Sequence, residues 1–376
     1  MGTRRLVSLL TIIVVLSVNL ALAASPGWAA AEKGPLNLTL NQAVSAALGN
    51  SESLKKAEKE TERTEELRDY RAQQIDFTPT EPAGSALVEV PWSNLLMADL
   101  TWRMSKKSLT SEQDSLALDT CKKYWDVLTA YEKIKAAEAS LSSAQRQLRR
   151  SRAGYQVGLV TRTALIAAEV QYSNAQSNLN SAKNDLDKAY AALNTLVGLK
   201  PEDRPVLTDE ITFTPLKVDN LDTEVAKVLE NAPTVWLANE NVTLQKYLED
   251  MSFYTGEYRP YLARKIEVEQ KELDAASTKK AYKQLTRSLY YGIKSLEEAY
   301  AGAQEGTRVA EENLRVAKVK LTVGMATPAD VTAAEKALAE AKAASYDLAC
   351  QHAYMKLAFA KPWAYLSALS SSATDG

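Results

Sequence analysis

Two long segments keep an apolar seam at a spacing of three and four residues without a slip, and this limits the possible folds more than any other feature. Ala130, Ile134, Ala137, Leu141, Ala144, Leu148, Ser151 and Tyr155 form one arm. Leu165, Ala168, Tyr172, Ala175, Leu179, Ala182, Leu186, Ala189, Leu193 and Leu196 form the next. Apolar residues recurring every 3.5 positions put one stripe on a helix and draw neighbouring helices into a left-handed supercoil. Ala at alternate seam positions lets the helices approach closely. At ~1.5 Å per residue the arm from Leu109 to Tyr155 is ~70 Å long, beyond an ordinary globular helix.

Between the two arms stands "VGLVT", Val157, Gly158, Leu159, Val160 and Thr161. Glycine reaches the positive φ that stops one helix, and the next resumes within a few residues, so the arms form an antiparallel hairpin. The same pattern returns later. At a shift of 166, Gly158 falls on Gly324, Thr161 on Thr327 and Glu169 on Glu335, and the second turn reads Val323, Gly324, Met325, Ala326, Thr327. The seam returns with it, through Val331, Ala334, Leu338, Ala341, Ser345, Leu348, His352, Met355 and Phe359. Nearer the start, "LNQAVSAALGNSESLKKA" (40–57) lies over "LDTEVAKVLENAPTVWLA" (221–238) at a shift of 181. The chain is a tandem duplication of one architectural unit, and its second copy is 15 residues shorter between these landmarks.

The extra length of the first copy includes the most Pro-rich part of the chain, residues 76–104. Ala86, Val88, Val90 and Trp92 alternate with Ser85, Leu87, Glu89 and Pro91, and a second alternation runs from Leu96 to Met104. Period two on both sides of a turn predicts a β-hairpin over 85–104. The rival is a short amphipathic helix starting after Ser93. The matching part of copy two shows no alternation and reads as a charged helix past Pro260.

The expected fold class is therefore mainly α, with duplicated long antiparallel coiled-coil hairpins and at most a small β-hairpin. The expected divisions are a signal peptide (1–31), a first repeat (32–200), a linker (201–220), a second repeat with strands reduced or absent (221–364) and a flexible tail (365–376). The signal rests on Arg4 and Arg5, an apolar run from Leu6 to Leu22, and small-residue sites at 21–23 or 29–31. A membrane anchor is the weaker reading, because the run stays below ~20 residues. No Cys follows the small residues, so a lipid anchor is not indicated.

Charge and chemistry exclude more than they suggest. With 45 basic and 47 acidic side chains, nothing global calls for nucleic acid as a partner. Aromatics make up only 7% of the residues, which suits close helix packing. The two cysteines, Cys121 and Cys350, sit in helical patterns and read as small apolar packers rather than a disulfide. His352, the single histidine, lies on the seam, where a packed or solvent-edge role outweighs a base or ligand. No phosphate loop, zinc spacing or nucleophile elbow is present, so neither enzyme, metal nor cofactor is expected. One stretch, "QYSNAQSNLNSA" from Gln171, carries no charge and only Ser, Asn and Gln off the seam. Gln171, Asn174, Asn178 and Ser181 could line a lumen or an interhelix face. A hydrated outer face fits equally.

These residues resemble those of the TolC-like outer-membrane efflux proteins. "LTLNQAVSAALGNSESL" is similar to that family's opening, with Ser51 where Pro is usual. The segment from Tyr155 to Gly198 resembles its hairpin turn and descending helix, and "LTVGMATPADVTAAEKALAEAKAA" resembles the second copy. The resemblance covers roughly residues 36–364. It implies a homotrimer whose hairpins close a long helical tunnel. Four strands per protomer would complete an outer-membrane barrel, and a periplasmic adaptor and inner-membrane pump would drive export. It places the adaptor-docking tip at Val157, Gly158, Leu159, Val160 and Thr161 with Val323, Gly324, Met325, Ala326 and Thr327. Leu159 and Val160 would have little core to bury in, so a partner is their natural cover; any helical hairpin, however, needs such a glycine. At most one strand pair is visible. Either copy two has weak strands around Ser252–Tyr261, or the chain is a shortened member. The alternative function is a non-conducting envelope scaffold or adaptor-like coiled-coil protein of the same descent.

Overall fold

The computed structural model describes residues 37–77 and 83–366; the expected signal peptide (1–31) and residues 367–376 of the expected tail lie outside them. The chain runs β1 (Asn37–Leu38), α1 (Leu40–Asn50), α2 (Glu52–Ala72), α3 (Ala86–Gln156), α4 (Arg162–Val197), β2 (Val206–Leu207), α5 (Leu221–Asn231), α6 (Pro233–Asp250), α7 (Tyr261–Thr322) and α8 (Pro328–Ala360). The duplication is literal in these bounds. Helices α1, α2, α3 and α4 correspond in order to α5, α6, α7 and α8, and α1 and α5 are each 11 residues long.

The largest elements are α3, with 71 residues, and α7, with 62, rods of ~107 and ~93 Å at ~1.5 Å per residue. No isolated helix of this polarity holds such a length; packing along the seams does so. Helix α4 packs on α3, α3 on α8, and α8 on α7, leaving α4 and α7 at the two edges of the lower half. Above the middle, α2 packs on α3 and α6 on α7, with α3 meeting α6 between them.

The expected β-hairpin over 85–104 is not formed: those residues open α3. The rival helix is nearer the mark, though it starts at Ala86 rather than after Ser93. The physical reason lies in the seam. Glu89, Ser93, Leu96 and Leu100 are spaced 4-3-4, a helical stripe, and buried residues return further along the same helix at Leu118, Cys121 and Trp125. Glu89 and Ser93 are buried despite their polarity, because each finds backbone partners. Pro91, the sixth residue of α3, lacks the amide that would bond the Leu87 carbonyl, yet the helix runs on through it. No strand forms around Ser252–Tyr261 either; that stretch is a turn-rich connection. The shortening of copy two is accordingly helical. Helix α6 has 18 residues against 21 in α2, α7 has nine fewer than α3, and the connection supplies the rest. Among the described residues the sole sheet is the two-residue parallel pairing of β1 with β2, Asn37 beside Val206 and Leu38 beside Leu207.

The largest buried cluster among the described residues is at the waist, where both repeats meet. Tyr124, Val127, Tyr190 and Leu193 are buried with Cys121 and Cys350. Both cysteines are free, and burial pushes their thiols up to about 11. Tyr124 ties the chain start to the linker: its hydroxyl donates to the Leu38 carbonyl at 3.0 Å and accepts from the Asp209 amide at 3.2 Å. A second cluster unites Leu118, Leu289, Ile293, Ala358 and Phe359. His352 is buried here. Phe213 lies 4.5 Å from its ring, and Nε2 is 3.4 Å from Glu297. Burial lowers the imidazole's pKa below its ordinary 6.5, against the pull of Glu297.

Candidate functional site: two apolar turns

The two turns are built alike from their residues upward. In the first, Gly158 takes φ +74°, a conformation that costs an L side chain strain. Its amide donates to the Tyr155 carbonyl at 3.1 Å, and the Leu159 amide donates to the Gly154 carbonyl at 2.8 Å. This pair is the Schellman closure, which satisfies carbonyls that the helix end leaves open. In the second turn Gly324 has φ +73°, its amide donates to Leu321 at 3.1 Å, and the Met325 amide donates to Lys320 at 2.7 Å. Threonine then starts the next helix. Thr161 Oγ1 accepts from the Ala164 amide at 3.2 Å, and Thr327 Oγ1 accepts from the Asp330 amide at 3.3 Å. The second cap is reciprocal, since the Thr327 amide donates to Asp330 Oδ2 at 2.7 Å. That backbone hydrogen bond lowers the Asp330 carboxyl's pKa.

These closures leave an apolar pair at each tip. Val157 and Leu159 are 68% and 83% exposed, and Val323 and Met325 are 62% and 77% exposed. Val160, expected at the exposed tip, instead folds back half-buried on Gly154, where a Cβ on that glycine would lie 2.5 Å from Val160 Cγ2. Ala326 and Thr327 are half-buried too, and Thr161 is exposed. The sequence signal for Val160 was Gly154 itself, four residues before Gly158 on the helix.

The polar stretch lies on the exposed surface of α4. Gln171, Asn174 and Asn178 line a shallow groove of about 400 Å³ with Ser140, Ser143 and Gln147 of α3. Asp330 and Lys336 of α8 reach the same groove. Ser181 is exposed but lies outside its lining.

The edges of the lower half were not singled out by sequence reasoning. Ile166 and Val170 lie on the side of α4 opposite its seam residues Ala168, Ala175 and Leu179, so they point away from α3. On α7, Val309 and Val319 are likewise exposed towards the turn, and Leu262, Ile266 and Leu273 are exposed near the opposite end of the helix. Finding them needs the packing order of the helices, which no local pattern supplies. Among the described residues no group of three His, Cys, Asp or Glu side chains could hold a metal.

Comparison with known proteins gives these features a context. Residues 93–199 match the family model described as outer membrane efflux protein. Outer membrane protein TolC of Escherichia coli K12 is 28% identical over 107 residues, and its Vibrio cholerae counterpart is 27% identical over 107 residues. The match spans 22% of the E. coli relative's length and 28% of this chain. Solved structures extend the likeness of fold much further. The Campylobacter jejuni CmeC outer membrane channel has a TM-score of 0.64 at 15% identity, covering 92% of this chain and 94% of that one. The outer-membrane channel OprN has a TM-score of 0.65 at 13% identity, covering 86% and 90%. The Neisseria gonorrhoeae MtrE channel in its open state has a TM-score of 0.58 at 16% identity, covering 85% and 87%.

Proposed function

We propose, from the premise that this chain belongs to the TolC-like outer membrane efflux protein family and is exported to the outer membrane or cell envelope, that three copies stand side by side as the wall of a helical export duct. The tips Val157, Leu159, Val323 and Met325 dock on a periplasmic adaptor, which couples the duct to an inner-membrane pump. Conduction is passive: the protein makes and breaks no bond, and choice of cargo rests with the pump.

The observation that carries this reading is the pair of unlike apolar edges. Ile166 and Val170 on one edge face solvent in a single copy, as do Val309 and Val319 on the other. Two different surfaces that complement each other repeat head to tail, and such a contact closes into a ring when the rotation allows. The uncharged face of Gln171, Asn174, Asn178 and Ser181 stands beside the α4 edge. It offers hydrogen bonds to a passing solute, with Asp330 and Lys336 of α8 on the same groove. The test is the native mass of the mature protein. A trimer is expected, and Ile166→Asp with Val170→Asp should give helical monomers; a monomeric wild type would remove the reading.

A second reading, a non-conducting envelope scaffold, is favoured by one observation: helix stands where residues 85–104 were expected to form strands. A thiol probe separates the two. In a hollow ring Asn178→Cys reacts with a small maleimide and resists a polymer-linked one, whereas in a solid scaffold both reagents behave alike.

A further inference from the structure

The two hairpin ends share a backbone and differ in charge. From Arg146 to Glu169 the first holds five arginines, Arg146, Arg149, Arg150, Arg152 and Arg162, and one acid, Glu169. The matching stretch of the second copy, Glu312 to Glu335, holds Arg315, Lys318 and Lys320 against Glu312, Asp330 and Glu335. One end carries a net four positive charges and the other carries none.

Closing the turn does not require this excess, because the second copy closes the same turn without it. There Glu312 accepts twice from Arg315, at 2.9 and 2.7 Å, a pair three residues apart that supports the helix. In the first copy Arg146 takes the place of that acid and opposes Arg149 at the same spacing, a repulsion that works against the helix. Arg162 begins α4, where the helix dipole disfavours a cation, and no acid stands in that first turn. Pro328 begins α8 instead, with Asp330 in its first turn. Among the described residues Arg152 has an ion pair with Glu169 at 3.3 Å, while Arg146, Arg149, Arg150 and Arg162 have none. Asp330, the acid that feels Arg150, is already held by the Thr327 amide. Two electrostatic costs thus meet at one hairpin end, and an anionic partner would relieve both.

All five arginines are exposed, on the helix ends that flank the exposed Val157 and Leu159. An apolar centre with a charged rim is the build of a protein contact. Arg146 stands ~15 Å along α3 from Gln156 at ~1.5 Å per residue, more than one small anion can span. A neighbouring copy packed along the edges meets α4 and α7, whereas Arg146, Arg149 and Arg150 lie on α3, between α4 and α8.

We infer that the first hairpin end takes a carboxylate-rich segment of a partner protein, acids on Arg146, Arg149, Arg150 and Arg162 and apolar groups on Val157 and Leu159, and that the second end does not. This rests on the docking reading of the tips and adds the partner's chemistry and a preference between the copies. Fluorescence anisotropy of the full mature chain with a labelled peptide alternating glutamate and leucine tests it. Wild type should bind, more weakly as salt rises. Arg146→Gln, Arg149→Gln, Arg150→Gln and Arg162→Gln together should weaken binding roughly tenfold or more, with helicity and native mass unchanged. Arg315→Gln, Lys318→Gln and Lys320→Gln together should leave it within about twofold. Arg146→Glu alone rebuilds the ion pair of the second copy, so it should raise the denaturation midpoint while weakening binding; a charge that only served the fold would lower the midpoint. A wild type that ignores the peptide, equal losses from the two glutamine variants, or displacement by inorganic phosphate as effective as by unlabelled peptide would overturn the inference. Val157→Ser with Leu159→Ser separates it from the docking reading. Binding lost there but kept in the first glutamine variant would retain the apolar tip and remove the acidic partner. The opposite result would retire the apolar tip and keep the acidic partner.

Discussion

The two turns are copies of one ancestor, and comparing them separates what the geometry demands from what packing can renegotiate. Both keep the positive-φ glycine, the two closing hydrogen bonds and the threonine that opens the next helix. Beyond the reciprocal cap at Thr327 and Met325 in place of Leu159, they differ in one half-buried contact. Gly154 leaves room for Val160 in the first turn, while the equivalent positions in the second hold Lys320 and Ala326. A small residue on the helix goes with a large one on the turn, and the reverse. The backbone of the turn is thus a requirement, and the side chains behind it are a matched pair.

The largest effect should come from attacking the shared part. Gly158→Pro and Gly324→Pro each force φ to a negative value and remove the amide that bonds Tyr155 or Leu321. Each should cost on the order of 3 kcal/mol, equally in the two copies, in chemical denaturation. A marked inequality would mean that the turns are not equivalent.

The matched pair predicts a smaller, reversible effect. Gly154→Ala places a methyl against Val160 and should cost roughly 1–3 kcal/mol, as overpacking does. Adding Val160→Ala copies the arrangement of the second turn and should restore stability, with any surplus coming from alanine's better helix propensity. In the second turn Ala326→Val should destabilise, since Lys320 leaves no such recess. A double-mutant cycle at 154 and 160 measures the coupling directly.

The smallest effect concerns the seam. His352 occupies the position of Leu186 in the first copy. Its folded-state pKa is depressed by burial, so the unfolded chain binds the proton first as pH falls. The neutral ring's contribution is complete above 6.5 and is lost as pH drops below it toward the folded-state value. His352→Leu should abolish that part of the slope in a stability-against-pH curve. An unchanged slope would assign it to other groups.

Much of this was readable beforehand, for identifiable reasons. The heptad from Ala130 to Leu196 needs only local spacing, and the duplication needs only the chain laid against itself. The upper part of α3 was misread because Glu89 and Ser93 occupy seam positions, so the apolar period vanished where the helix was in fact continuous. Alternation of Ala86, Val88 and Val90 then imitated a strand. The glycines of the turns were legible, yet the fate of Val160 depended on a recess at Gly154 that matters once the turn is closed. The apolar edges were hidden longest, because Ile166 and Val309 become edge residues only after the helices have taken their order.

The central claim is that unlike edges of neighbouring copies meet around a hollow. Val170→Cys combined with Val309→Cys places one thiol on each edge at comparable distances from the turns, while Cys121 and Cys350 stay buried and unreactive. Oxidation of the purified double variant should yield a covalent trimer on denaturing gels, and each single variant should stay monomeric. A double variant that remains monomeric under the same oxidant would contradict the account.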